Sequence, residues 1–220
     1  MTGTNADLAG AFPSQLVHDV RAVLAVMPEP QHPFMSPFPV DVSGETVSIP
    51  SRIYNDEPPA DAEHRLTATQ VGILHCLYSR HGDGMIRQRH LEEIVRSDEP
   101  WVVPFVVQLV GEYVVEILDA IRIGIADVAT PGSAQRLLYG EFIARNPAFF
   151  ARTERRVVSY WSHYYRREYP AFGAYPGCLV LGLLRAAAAD RTGRRWPRHT
   201  PPGLTSTLSP CLPTAPPSPS

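Results

Sequence analysis

Residues 99–122 read EPWVVPFVVQLVGEYVVEILDAIR, and the class of the fold turns on whether this run is a membrane span, a buried strand or a core helix. It carries four acids, Glu99, Glu112, Glu116 and Asp119. No window of the chain offers the roughly 18 uncharged apolar residues that a transmembrane helix requires. A strand is too short a unit for its length. Projected at about 100° per residue, Gln108, Glu112, Glu116, Asp119 and Arg122 fall within one narrow arc. Trp101, Phe105, Val106, Leu109, Val110, Val114, Leu118 and Ile121 cover much of the rest. The run therefore reads as helical and largely buried, with one thin polar stripe, and as either one helix or two joined near Gly111.

Flanking segments extend that reading. Leu16, Val20, Val23 and Leu24 share a helical face in residues 13–27. Five prolines in residues 28–39, PEPQHPFMSPFP, forbid helix or central strand there, and ETVSIPSRIY fits a short edge strand or extended segment. Thr67 with Gln70 forms a capping box opening a helix that closes at the HGDG turn, and a short helix follows, ending near Ser97. Pro131 starts another helix. Asn146-Pro147 opens a long one ending at Pro170, and residues 178–191 form the last. The expected fold is all-α, a helical-hairpin bundle. Its segments are an N-terminal helical piece (1–27), a proline-rich extended arm (28–64), the helical domain (65–192) and a disordered tail rich in Pro, Ser and Thr (193–220).

Asp83, Ile86, Arg87, Leu91 and Ile94, followed by Pro100, Val103, Pro104, Leu109, Val115 and Ala120, resemble paired helices of HEAT repeats over about residues 83–125. Glu116 stands where that family usually has arginine. The resemblance implies a short stack of helical hairpins and a protein-binding role. The whole chain is also similar to all-helical bacterial proteins, a likeness that implies no activity.

Composition excludes several chemistries. All 20 basic residues are arginine. There is accordingly no Schiff-base or pyridoxal-phosphate lysine, no Walker A lysine and no kinase-type ATP lysine. The abundance of arginine, alanine, glycine and proline fits a GC-rich genome. Cys76, Cys178 and Cys211 have no metal or disulfide spacing. The start of the sequence lacks the basic flank and apolar stretch of a secretory leader, which points to a cytoplasmic location. No cofactor is expected. HGDG has no GxSxG nucleophile to serve and reads as a turn.

Three candidate sites emerge. Glu112, Glu116 and Asp119, at helical spacing, can meet a divalent cation or act as an acid–base pair. Arg152, Arg155, Arg156, His163, Arg166 and Arg167 share one side of the helix from 147, opposite Phe150, Val157, Trp161, Tyr164 and Tyr165. That basic side suits a partner protein, nucleic acid, or the acidic half of the chain itself. Residues 1–150 hold ten arginines and nineteen acids, whereas residues 151–220 hold ten arginines and three acids. Arg87, Arg89 and His90 with Glu92 and Glu93 read as a solvated, ion-paired face, and His75 as a satisfied core histidine. The leading functional expectation is a non-catalytic protein-interaction module. Nucleic-acid association through 152–167 comes second, and a metal or acid–base site at 112–119 third.

Overall fold

A computed structural model describes residues 4–33 and 36–198. The fold is mostly helical. Helices α1 (Val17–Val26), α2 (Ala60–Glu63), α3 (Ala68–Tyr78), α4 (Gly84–Ile94), α5 (Val103–Val110), α6 (Val115–Gly124), α7 (Ala134–Arg145), α8 (Pro147–Tyr160) and α9 (Pro176–Thr192) surround one core. The expected tail begins after α9, and from residue 199 onward that expectation lies outside the described residues.

The capping box is present as read. Thr67 Oγ1 accepts from Gln70 N–H at 3.3 Å, and Gln70 Oε1 accepts from Thr67 N–H at 3.1 Å. Asp83, the one acid of the HGDG turn, caps α4 by accepting from the N–H groups of Met85 and Ile86. The helix expected to start at Pro131 begins at Ala134, with Ser133 as its cap. Helices α3 and α4 pack on each other, as do α5 and α6, and α4 also packs on α6.

The proline-rich arm holds the sheet. Strands β1 (Phe38–Val42) and β2 (Glu45–Ile49) form an antiparallel hairpin, Val42 opposite Glu45. Ser43 and Gly44 both take positive φ, 55° and 94°, the two-residue turn whose twist matches paired strands. Alternation sends Phe38, Val40, Val42, Val47 and Ile49 into the core. Residues 8–27 enter the same core through Leu8, Phe12, Leu16, Val20 and Val23. The edge of β1 is covered by a side chain. Asn146 Oδ1 accepts from Asp41 N–H and Asn146 Nδ2 donates to Asp41 O, each at 2.8 Å. Asn146 therefore serves the strand and makes no side-chain cap for α8.

The deciding stretch is two helices. α5 ends at Gly111 and α6 begins at Val115, so the projected polar stripe does not exist as one face. Every residue of α5 is buried, Gln108 included.

Helices α7 and α9 approach through Gly140, where a Cβ would sit 2.5 Å from the Ala187 carbonyl oxygen. Gly140→Ala must push backbone apart and is expected to cost about 1–3 kcal/mol, seen as a lower urea midpoint. Gly182→Ala on exposed α9 surface meets nothing within 4 Å and is expected to hold or raise the midpoint, by up to about 1 kcal/mol. Equal effects at the two sites would contradict this close approach.

Candidate functional site

The break between α5 and α6 decides where each charged candidate goes. Glu112 lies within it and turns inward, with its side chain 0% exposed. Arg52, just after β2, donates to both its oxygens at 2.8 and 2.7 Å. Arg87 of α4 lies 3.5 Å away and Arg80, after α3, lies 3.8 Å away. Burial on its own would raise the Glu112 carboxyl. The Arg80 and Arg52 guanidinia, with Arg87, outweigh it and hold the group below its ordinary range.

The three arginines also donate to backbone carbonyls, Arg52 to that of Ser51. Arg80 donates to the carbonyls of Pro50 and Ser51, and Arg87 to those of His81 and Gly82. Burial pulls the Arg80 guanidinium down and Glu112 pulls it back up, while the charges of Arg52, Arg87 and Arg156 push it down further. A guanidinium so placed still keeps its proton at neutral pH.

The acid–base or metal reading of 112–119 meets a different geometry. Glu112 is committed to arginines, whereas Asp119 on α6 is half-buried and pairs with Arg122 at 3.3 Å. Glu116 is exposed, in the first turn of α6. Among the described residues no group of three His, Cys, Asp or Glu side chains is placed to hold a metal ion. The outward acid stripe is corrected: the helix break rotates Glu112 away from Glu116 and Asp119.

The basic face of α8 and of the turns that follow it is open. Arg152, Arg155, His163, Arg166 and Arg167 are exposed and Arg156 is half-buried. None of the six forms an ion pair with a described residue. Arg152 lies over the rings of Phe38 and Phe149, and Arg166 over that of Trp161. The stem of Arg156 lies across Gly111, 3.4 Å from where a Cβ would stand. Packing of this face onto the acidic half of the chain is thus not what the fold does with it.

Three tyrosines join this surface, and the helical wheel had not put them there. Tyr113, from the α5–α6 break, meets Tyr160 at a centroid distance of 6.0 Å and Tyr164 at 6.3 Å; Tyr160 and Tyr164 are 6.2 Å apart. Tyr113 is 49% exposed and Tyr164 63%. Tyr164 was expected on the apolar side with Trp161. Beyond Tyr160 the chain widens into a π-helical turn, Trp161–Tyr165, which turns Tyr164 outward while Trp161 stays buried. Such turns recur at functional sites. Tyr165 Oη anchors the turn by donating to Tyr113 O at 2.5 Å.

A second polar cluster lies between α3 and α4. His75 Nδ1 and His90 Nδ1 are 2.7 Å apart, and His90 Nε2 is 2.8 Å from Glu57 Oε1. Arg89 holds the other Glu57 oxygen, and the Tyr78 ring stacks on His90 at 5.1 Å. The expected solvated face of α4 is thereby corrected in part. Arg87 and His90 are buried, because the preceding loop and Glu57 supply acceptors that the helix's own sequence does not show. His75 is a half-buried histidine with a histidine partner.

Glu112→Gln removes one charge and leaves Arg80 and Arg87 buried without their counterion. The expected loss is about 3–5 kcal/mol of folding stability, measurable by chemical denaturation. Glu116→Gln, at an exposed position, is expected to change stability by less than about 0.5 kcal/mol.

Among the described residues no helix is long and apolar enough to cross a membrane. No protein family, curated protein or solved structure matches the chain.

Proposed function

We propose that this protein acts by binding, without catalysing a reaction, and that the arginine–tyrosine face of α8 docks an acidic surface of another protein. The observation that carries the reading is the bare basic face: four exposed arginines, with His163 among them, that have no carboxylate partner among the described residues, beside a cluster of three tyrosines. Arginine and tyrosine dominate the energetics of protein interfaces, since both bring large, ordered contact area and directed donors. The stacked helical hairpins, with the HEAT-like resemblance of residues 83–125, supply a rigid support of the kind interaction modules use.

One observation favours a second reading. Tyr160 and Tyr164 fall between Arg156 and Arg167 in sequence, with Tyr113 against both rings, and interleaved rings and cations are what single-stranded nucleic acid stacks and pairs against. In that reading the arginines track phosphates and the tyrosines stack bases.

Fluorescence anisotropy with two probes, a polyglutamate peptide and an oligothymidylate, separates the readings. For an acidic protein partner, the double variant Arg155→Glu, Arg167→Glu is expected to abolish peptide binding, while the oligonucleotide binds no better than its charge dictates. For nucleic acid, Tyr164→Ala is expected to weaken oligonucleotide binding roughly tenfold, and loss of each phosphate contact to lower the salt slope by about one unit. Absence of binding to either probe at low salt would defeat both.

A further inference from the structure

The three-membered chain Glu57–His90–His75 admits few proton arrangements. Glu57 is held below its ordinary range: burial would raise it, but the hydrogen bonds from His90 and Arg89 outweigh that, so it is a carboxylate. It accepts, and His90 Nε2 must carry the hydrogen. Neutral His90 then has a bare Nδ1, which needs a donor 2.7 Å away, and only His75 Nδ1–H can supply it. Neutral His75 is therefore the Nδ1–H tautomer, with its lone pair on Nε2. That atom has no partner among the described residues and is not buried, and His75 lines the cleft formed with Gly72, Glu93, Ser97, Glu99 and Trp101.

This surface suits a proton better than an anion. Glu93 and Glu99 line the cleft and no cation does. The charges felt by His75 are the carboxylates of Glu63 on α2, Glu93 on α4 and Glu57; His90 feels Glu57, Arg89 and His75 itself. The first added proton enters at His75 Nε2. One hydrogen still lies between the two Nδ1 atoms, whichever ring it belongs to, and the contact holds. A second proton puts a hydrogen on both facing nitrogens, two donors and no acceptor at 2.7 Å.

We propose that His75 and His90 form a proton-operated latch between α3 and α4, closed with zero or one extra proton and forced open by the second. Opening separates the helices at the rim of the cleft and frees the loop bearing Glu57. Burial lowers both imidazoles in the folded state, for His90 against the Glu57 hydrogen bond and for His75 against its three carboxylates. Folded-state proton affinity is thus below that of the unfolded chain. Stability is full above the ordinary imidazole range and falls as pH drops through it.

Nitrogen-15 spectra of the histidine rings in the full chain test the latch. At about pH 7.5 His75 is expected as the Nδ1–H tautomer and His90 as Nε2–H. On acidification the pair is expected to titrate in two separated steps, with α3 and α4 amides losing exchange protection only in the second. Glu57→Gln, at a partly exposed site that leaves the core intact, is expected to move the second step down by about one pH unit, a tenfold loss of proton affinity. Nε2–H tautomers on both rings, or independent titration with protection unchanged throughout, would overturn the proposal.

Discussion

The structure depends on one carboxylate that cannot reach water. Glu112 is fully buried, and the desolvation cost of such a charge is met only by opposite charge at close range and in good geometry. Arg52, Arg80 and Arg87 supply it from three places: the exit of the hairpin, the end of α3 and the first turns of α4. A slip of any of these segments by one residue would strand a buried ion. Hydrophobic burial around α5 is non-directional and tolerates several packings, whereas this pairing tolerates one. We regard the cluster as the feature that sets the register of the hairpin, α3, α4 and the α5–α6 joint against each other.

The same joint also builds the face proposed for binding. Four residues separate α5 from α6, and within them Glu112 goes inward while its neighbour Tyr113 goes outward to Tyr160 and Tyr164. The stem of Arg156 lies across Gly111, so a residue of the open face also packs on the joint that holds Glu112. A continuous helix through 111–114 would have carried Glu112 and Tyr113 about 100° apart on one cylinder and given neither arrangement. The break thus couples the core's strictest constraint to the surface proposed to do the work.

Most helix positions were legible because their signals are local. Thr67 and Gln70, the HGDG turn, and the proline after Asn146 each mark a terminus within four residues of themselves. The sorting of arginines to one side of α8 was legible for the same reason. Glu112 was misplaced because a helical wheel assumes an unbroken helix, and Gly111 supplied the ambiguity without resolving it. Asn146 looked like a cap but answers to Asp41, 105 residues away in sequence. His75, His90 and Glu57 come from three segments, and nothing in the spacing of a short helix announces partners 15 and 33 residues distant. Non-local hydrogen bonding leaves no periodicity to read.

The absence of lysine is more than compositional background in this fold. The joints around the cluster are irregular, and their carbonyls have no ladder to satisfy them. Pro50 and Ser51 after β2, and His81 and Gly82 before α4, are served instead by Arg80 and Arg87. A planar fork with five donors can hold two carbonyls and still face a carboxylate. A lysine ammonium concentrates its donors at one point and sheds its charge more readily when buried. Substituting lysine at Arg80 or Arg87 would leave either the carbonyls or Glu112 unmet, so guanidinium chemistry is a structural requirement of the core here, independent of whatever genomic bias made arginine abundant.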